Sequence, residues 1–480
     1  MIVMWLLLVG VPALAALAVL LPRVGRHAPV ILTTTAVITS AVALIQAALP
    51  TTEPFFNGYL RGDATAQLFT PAVNIIYLGI AIYLRARVAA EGLSRRFMVF
   101  ALAFLAASNL ALIGNHLLLI WIAIEATALS AALLIVRPDS PASRIASWRY
   151  LLFSSVGLGL VLLGMSCLTR SMYVDGQSPT LFLDQMGDVV KGPANAWRQI
   201  GVGLVLLGLA TKLGLAPMYS WLPEAYDEAP AGVTALLGAV QFNCVVVFMF
   251  HIVHVYRAGS GDLITGELLA IGLASVAVST ASIVATRNFK RLLAYASINH
   301  AGVIAIGLAL GHGASYGLLL YVLSNAFIKA ILFLTAGKIE SHYGTKDTKA
   351  IAGLIRDLPY SGMFLMVGTF ALLGFPPFGS FLGELLILSA LVTSGQMFVF
   401  AAFCMLITVS FVATGRTIFP MIWGEPKQER TWPRQSALAA LHKLIFLGVL
   451  LVLGIYIPPQ LNSLIERVAS SVGGAGLKTP

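Results

Sequence analysis

The sequence predicts an all-α polytopic membrane protein with about 14 transmembrane helices. Of the 480 residues, 58% are hydrophobic and only 10% are charged, whereas a soluble domain carries roughly 25% charged residues. Apolar runs of about 20 residues, each long enough to cross a hydrocarbon core of about 30 Å, recur along the chain. No soluble domain is predicted.

Fourteen apolar segments account for the predicted helices. The first, residues 2–21, lacks a basic leader and a clear cleavage site, so we interpret it as a retained helix rather than a signal peptide. The others cover residues 29–49, 65–84, 97–114, 117–136, 148–168, 198–221, 231–255, 264–285, 291–310, 314–337, 361–390, 397–418 and 438–458. The polar stretch 424–434 is expected to form a cytoplasmic connection to helix 14, and the tail after Arg467 is expected to be disordered.

The basic residues predict the orientation in the membrane. Loops after odd-numbered helices, counted with the adjoining helix ends, hold 21 of the 30 Lys and Arg residues, whereas the other loops and the tail hold 7. Because cytoplasmic loops carry the excess of Lys and Arg, both termini are predicted on the non-cytoplasmic side of a bacterial inner membrane. The net charge of +10 is assigned to these loops and does not indicate nucleic-acid binding.

One predicted cytoplasmic loop is acidic. Glu224, Asp227 and Glu228 follow helix 7 with no basic residue beside them in the sequence. We interpret this segment as a solvated loop, with the gathering of cations as the alternative.

Prolines interrupt two of the spans. Pro217 breaks helix 7, and Pro376 with Pro377 breaks helix 12. If helices 4–8 and 9–13 are two five-helix units, each break falls in the fourth helix of its unit, which predicts an inverted-repeat transporter with sites near the midplane. The predicted domains are residues 1–96 (helices 1–3), 97–255 (first repeat), 264–418 (second repeat) and 419–480 (connection, helix 14 and tail).

Four charged side chains lie well inside predicted spans: Glu125, Lys212, Lys329 and Glu384. Each would cost several kcal/mol if it faced lipid unpaired, so each is expected to face protein or water. Lys212 is the expected partner of Glu125. Because burial favours the neutral lysine and a nearby carboxylate favours the charged one, such a pair forms a reversible proton site.

Structural roles are the alternatives at each of these positions. Glu125 and Lys212 as a buried ion pair would only fix helix packing, Lys329 would snorkel to a helix end, and Glu384 would cap the second break. His300 lies mid-span and titrates near neutral pH if unperturbed. We expect it either to relay protons between Lys212 and Lys329 or to be a simple hydrogen-bonded core residue.

No cofactor or catalytic residue is predicted. Cys167, Cys244 and Cys404 are scattered through apolar segments, and their spacing indicates no disulfide, zinc or iron–sulfur site. The sequence has no identified nucleotide-binding loop or quinone-site motif. Any driving force is therefore expected to come from partner proteins.

Four motifs carry a family resemblance. The runs WIAIEATALSAALL (121–134), TKLGLAPMYSWLPEAYDEAPAGVTALL (211–237), FKRLLAYASINHAG (289–302) and GFPPFGSFLGELLIL (374–388) resemble the proton-translocating, antiporter-like membrane subunits. These subunits occur in respiratory complex I, group 4 membrane-bound hydrogenases and Mrp sodium/proton antiporters. Within this family, the EAPAGVTALL stretch and the GIYIPPQLNSLI ending look most like component F of hydrogenase-4.

The resemblance implies 14 helices, two inverted five-helix repeats and a mid-membrane polar axis. Matched motif by motif, that axis comprises Glu125, Lys212, His300, Lys329 and Glu384. Two positions depart from the family pattern, because Asn243 and Asn325 stand where relatives often carry a lysine and a histidine. Asparagine holds water but does not accept a proton at ordinary pH, which puts conduction between Lys212 and Lys329 in doubt.

The expected function is that of a proton-conducting subunit in a larger membrane complex, without catalysis of its own. Its expected partners are other membrane subunits and a peripheral cytoplasmic arm or soluble protein. One alternative is a redox-independent Na⁺/H⁺ antiporter subunit or the proton-coupled partner of an inorganic-carbon uptake complex. Another is a non-conducting scaffold.

Overall fold

A computed structural model of the chain describes residues 1–91, 94–190, 194–426 and 440–472, and its regular elements there are helices. In chain order these are α1 Ile2–Leu20, α2 Ala28–Ala47, α3 Ala64–Glu91, α4 Arg95–Ile113, α5 Leu117–Ile135, α6 Pro141–Val174, α7 Leu183–Val189, α8 Ala196–Leu213, α9 Trp221–Glu228, α10 Ala231–Ala235, α11 Phe242–Ala285, α12 Phe289–Leu310, α13 His312–Tyr343, α14 Leu354–Asp357, α15 Pro359–Leu372, α16 Gly379–Thr393, α17 Met397–Trp423, α18 Leu441–Ile455 and α19 Pro459–Val472.

Eleven helical segments of the described chain are long and apolar enough to cross a membrane. They correspond to predicted helices 1–6, 8–11 and 13. Predicted helices 8 and 9 are joined in α11 and are divided at Ser260, where the backbone leaves the helical region (φ −134°). Helix 7 corresponds to α8, helix 12 to α15 and α16, and helix 14 to α18. The total of 14 spans and the two repeats stay predictions.

The two broken helices end in the same way. Gly214 follows α8 with φ 74°, and Gly374 lies just past α15 with φ 67°. In each case the next residue's amide donates to the carbonyl five residues earlier: Leu215 to Ala210 at 2.9 Å, and Phe375 to Phe370 at 3.1 Å. This is the Schellman arrangement, in which a residue in the left-handed region lets the chain leave the helix axis while satisfying a terminal carbonyl.

Neighbouring groups satisfy the backbone that the breaks free. At the first break, the Ala216 amide donates to Ser275 Oγ at 2.8 Å, and Trp221 Nε1 donates to the Thr211 carbonyl at 3.0 Å. At the second, Ser380 Oγ donates to the Ala371 carbonyl at 2.7 Å. Irregular backbone at membrane depth requires such internal partners, so both breaks are built into the bundle.

Glycines bring α6 and α8 close together. A Cβ atom added to Gly157 would lie 2.9 Å from the Gly208 carbonyl oxygen, so only glycine allows this backbone approach. α13 and α16 meet in the same manner, since a Cβ on Gly317 would lie 3.0 Å from the Gly383 carbonyl oxygen. These contacts set the distance at which α6 side chains meet α8 and α13 side chains meet α16.

The structure corrects two expectations about loops. The acidic segment expected to be a loop is helical as α9, and residues up to Val472 form α19 rather than a disordered tail. α19 is ordered because its apolar face is buried, through Leu464, Ile465, Val468 and Ala469. Residues 427–434 of the expected connection and 473–480 of the tail lie outside the described residues.

Candidate functional site

Lys212 lies on α8 in a polar site formed mainly by α6. Its side chain is only 4% exposed. Nζ donates to Ser154 Oγ at 2.5 Å and to the Tyr150 hydroxyl at 3.2 Å, and it lies 4.9 Å from the centroid of the Tyr150 ring. The predicted helix-interior lysine is therefore stabilised by neutral hydrogen-bond acceptors and an aromatic face.

Glu125 lies on α5 at the same junction, but it does not form a direct ion pair with Lys212. Its Oε1 accepts from Ser155 Oγ at 3.2 Å, whereas its buried Oε2 has no hydrogen-bond partner in the part of the chain that the structure describes. The adjacent hydroxyls of Ser154 and Ser155 thus contact the two opposite charges, one each.

A hydrogen-bonded route leads from Lys212 to α11. The Tyr150 hydroxyl donates to Gln241 Oε1 at 3.0 Å, and Gln241 Nε2 donates to Thr127 Oγ1 at 2.7 Å. Gln241 is the last residue of a π-helical turn, Leu236–Gln241, that precedes α11. Such turns are rare and are often found at functional sites.

Lys329 lies beside the residue that follows this turn. Its Nζ is 3.5 Å from the centroid of the Phe242 ring, and the side chain is 2% exposed. Nζ has no hydrogen-bond partner among the described residues. Since it is buried near the middle of α13, Lys329 does not snorkel to a helix end.

One face of α13 carries polar groups on from Lys329. Tyr321, Asn325 and Lys329 recur every four residues and therefore lie on the same side of the helix. Both side-chain amide atoms of Asn325 are buried without a partner in the described chain. The Tyr321 hydroxyl is in hydrogen-bond contact with Nδ1 of His300 on α12.

Glu384 faces a small cavity of about 30 Å³ whose polar lining includes His300 and Tyr321 as well as Ser410 and Thr414 of α17. Its Oε2 lies against Gly374: a Cβ atom added to this glycine would be only 2.7 Å from the Glu384 Oε2 atom. Glu384 therefore lies beside the second helix break, on the side of the bundle that holds His300.

The placement of His300 differs from the sequence expectation. His300 was expected between Lys212 and Lys329, because it lies between them in the chain. In the fold it belongs with Tyr321 and Glu384, and Gln241 is the residue that leads from Lys212 towards Lys329. Chain order failed here because α11 and α12 fold back on each other, so sequence position does not give spatial order.

Asn243 is bound to its own helix. Its Nδ2 donates to the Ala239 carbonyl, inside the π-helical turn, at 2.5 Å, and no described residue is a hydrogen-bond partner of its Oδ1. A buried polar atom without a partner costs about 1–3 kcal/mol, and internal water commonly satisfies such atoms. The water-holding role expected of Asn243 and Asn325 stays a prediction.

Four contributors to the route were missed from the sequence: Tyr150, Gln241, Phe242 and Tyr321. Tyrosine and phenylalanine in apolar spans resemble ordinary core residues. Gln241 is a neutral amide inside a predicted span, which was the one available indication. Among the described residues, no cluster of three or more His, Cys, Asp or Glu side chains is placed to hold a metal ion.

The acidic residues of α9 are neutralised by basic residues from distant parts of the chain. Glu224 pairs with Arg149 at 2.5 Å, and Asp227 pairs with Arg291 at 2.8 Å and Lys346 at 2.9 Å. Asp227 is only 4% exposed in its side chain. The expectation of a solvated acidic loop was wrong, because these partners are remote in sequence.

This network lowers the pKa of Asp227. Burial alone raises that pKa. The hydrogen bond and charge of Lys346, together with the hydrogen bonds from Asn288 and Arg291, lower it by more than burial raises it. Asp227 is therefore held in its charged form, and it ties α9 to α12 and to the segment that follows α13.

Comparisons with known proteins agree with this architecture. Residues 114–410 match the family described as "NADH:quinone oxidoreductase/Mrp antiporter, TM". The chain is 31% identical over 379 residues to a hydrogenase-4 component F homolog of Methylacidiphilum infernorum, which covers 75% of each chain.

Two solved structures share the fold across almost the whole chain. A subunit of the archaeal membrane-bound sulfane sulfur reductase has a TM-score of 0.86 at 22% identity, with 98% of each chain covered. A subunit of the Mrp complex from Dietzia sp. also has a TM-score of 0.86, at 21% identity and 98% coverage of each chain. These likenesses confirm the predicted all-helical fold class. The family match and the 31% identical relative confirm the predicted resemblance.

Proposed function

We propose a function from one premise: the chain belongs to the family of membrane-spanning subunits of NADH:quinone oxidoreductases and Mrp antiporters. It is an antiporter-like membrane subunit with buried charged residues. From this we infer that it conducts protons along a mid-membrane axis in a multi-subunit complex. Like its solved relatives, it would work beside other membrane subunits.

The observation that supports conduction most directly is the hydrogen-bonded link from Lys212 through Tyr150 to Gln241. Gln241 is followed directly by Phe242, whose ring contacts Lys329. The axis then continues along α13 to Tyr321 and ends at His300 and Glu384. Neutral polar or aromatic side chains, Tyr150, Gln241 and Phe242, therefore separate Lys212 from Lys329.

These spacers suggest that protons move in steps controlled by charge. When Glu125 is charged, it favours the protonated form of Lys212, and when its charge is lost or moved, burial favours release of the proton. A proton arriving at Lys329 changes the potential felt at His300 and Glu384, because charges interact strongly at low dielectric. The proposed order is Glu125–Lys212, Lys329, then Glu384, and its direction is taken from the family.

The finer assignments are also part of this proposal. Helices 4–8 and 9–13 form two inverted repeats, and both termini lie on the non-cytoplasmic side of a bacterial inner membrane. The driving force comes from a partner, such as a redox arm or soluble protein on the cytoplasmic side. The chain contributes transport and no catalytic residue.

A Na⁺/H⁺ exchanger is the second candidate, favoured by the fold likeness to the Mrp complex. A non-conducting scaffold with structural charges is the third. Proton and sodium flux into proteoliposomes containing the assembled complex would distinguish the three. Lys212→Ala is expected to abolish proton flux with assembly intact, because Ser154 and Tyr150 then have no proton carrier between them.

The matched control is Lys349→Ala, which removes an exposed lysine outside the axis. Unchanged proton flux in Lys212→Ala would support the scaffold and refute conduction. Sodium flux coupled to an opposite proton flux, lost in the same variant, would instead favour the exchanger.

A further inference from the structure

The second helix break lacks a hydrogen bond that holds the first. At the first break, the Ala216 amide donates to Ser275 Oγ on α11 at 2.8 Å. Pro376 stands at the matching position of the second break, two residues after the left-handed glycine. Because a proline has no backbone N–H to donate, this segment needs another means of being held in place.

Helix α18 supplies that support through a glycine, Gly454. A Cβ atom added to Gly454 would overlap the carbonyl oxygen of Pro377 and would lie 2.7 Å from the amide nitrogen of Gly379, the first residue of α16. From the other side, a Cβ atom added to Gly379 would lie 2.9 Å from the carbonyl oxygen of Leu453. The backbone of α18 therefore packs directly against the backbone of the second break, and any side chain at residue 454 would separate the two.

The break and Glu384 are held by different helices. Glu384 lies on α16 next to Gly383, and a Cβ atom added to Gly383 would lie 2.6 Å from the carbonyl oxygen of Gly317 on α13. Gly374, against which the Glu384 carboxyl group lies, comes just before the segment that α18 contacts. Helix α13 therefore holds the part of α16 that carries Glu384, whereas α18 holds the chain between Gly374 and α16. The distance between the carboxyl group and the break depends on both contacts.

We propose that Gly454 is a positioning residue: by letting α18 pack against the second break, it sets where the Glu384 carboxyl group lies relative to His300 and Tyr321, which line the same cavity. This assigns a role to α18, which lies outside both predicted repeats. The effect on proton flux rests on the proposed conduction, whereas the effect on the position of the carboxyl group does not.

The first test substitutes alanine for Gly454 in the assembled complex. Since the methyl group needs an ordinary contact distance, the break would be displaced by on the order of 1 Å, and a misplacement of that size costs roughly 100-fold in rate. Proton flux in proteoliposomes should therefore fall by about that factor. The matched control is Gly448→Ala on the same helix, where an added Cβ atom meets nothing within 4 Å. Its proton flux should equal that of the wild type.

A double-mutant cycle separates positioning from general damage to the protein. If Gly454 acts through Glu384, Gly454→Ala should lower the proton flux of the Glu384→Gln variant by less than about twofold. A second full loss of flux in that background, additive with the loss caused by Glu384→Gln, would show that the substitution acts elsewhere. That result would overturn the proposal.

Infrared spectroscopy follows the carboxyl group itself, independently of flux. The Glu384 band is the carboxyl absorption that disappears in Glu384→Gln. Gly454→Ala should shift this band because the surroundings of the carboxyl group change, and Gly448→Ala should leave it in place. An unchanged band in Gly454→Ala would overturn the positioning role. A shifted band together with wild-type flux in Glu384→Gln would support the positioning role and refute the proposed conduction through Glu384.

Leu453→Ile keeps the test decisive if Gly454→Ala does not assemble. Leucine and isoleucine have the same volume, so a core tolerates this exchange well. The exchange moves a methyl group to Cβ, and the Leu453 Cβ atom lies beside the break, 3.1 Å from a Cβ atom added to Gly379. The Glu384 band should therefore shift in Leu453→Ile as well, and a band in its wild-type position would overturn the proposal.

Discussion

Gln241→Leu is the sharpest test of the proposed route, because it removes the link between Lys212 and Lys329 without changing a charge. Leucine is close to glutamine in volume, so packing is largely kept. The substitution leaves the Tyr150 hydroxyl without its acceptor at 3.0 Å and removes the bond to Thr127 at 2.7 Å. Thr127 keeps its own bond to the Ile124 carbonyl, so Tyr150 carries most of the effect.

The expected size follows from that lost bond. An unsatisfied buried hydroxyl costs about 1–3 kcal/mol. If a proton crossing from Lys212 meets a barrier higher by about 2 kcal/mol, flux falls about 30-fold. We expect this loss in proton flux measured in proteoliposomes with the assembled complex, while subunit stoichiometry stays that of the wild type.

Gln46→Leu is the matched control, because Gln46 is equally buried, at 1% exposed, but lies on α2 outside the axis. It should leave the proton flux within about twofold of the wild type, because the hydrogen bond that it removes, from Gln46 Nε2 to the Met1 carbonyl oxygen, is long at 3.4 Å. Equal flux in Gln241→Leu and wild type, with the complex intact, would refute the route through α11.

Two further predictions concern Tyr321 and Asp227. Tyr321→Phe removes the hydroxyl in contact with His300 and should lower proton flux about tenfold. The control Tyr316→Phe loses a 2.6 Å hydrogen bond to Asn462 outside the axis and should leave proton flux unchanged. Equal flux in both variants would contradict the role of Tyr321. The lowered pKa of Asp227 stabilises the fold at pH values above the unfolded pKa of about 3.9, and this stability is lost as the pH falls through the folded value. The unfolding midpoint of the wild type should therefore drop more steeply on acidification than that of Asp227→Asn, and parallel curves would show that the network does not stabilise the fold.

The sequence alone determined the class of protein, the helix breaks and the buried charges. These features follow from residues taken singly: an apolar run crosses a membrane wherever it packs, a proline interrupts a helix, and a charge in hydrocarbon needs a partner. Glu125, Lys212, Lys329 and Glu384 were therefore identifiable from position and chemistry, and the four quoted motifs were enough to indicate the family.

Only the tertiary structure decided how those residues are connected. It joined Lys212 to Gln241 through Tyr150, moved His300 to the side of Glu384, and paired Asp227 with bases more than 60 residues away. The physical reason is that burial cost belongs to a single side chain and is visible in composition, whereas a hydrogen bond depends on two backbones meeting at the right distance. Here the approach of α6 to α8 at Gly157 sets that distance, and nothing in the sequence of either helix specifies its partner.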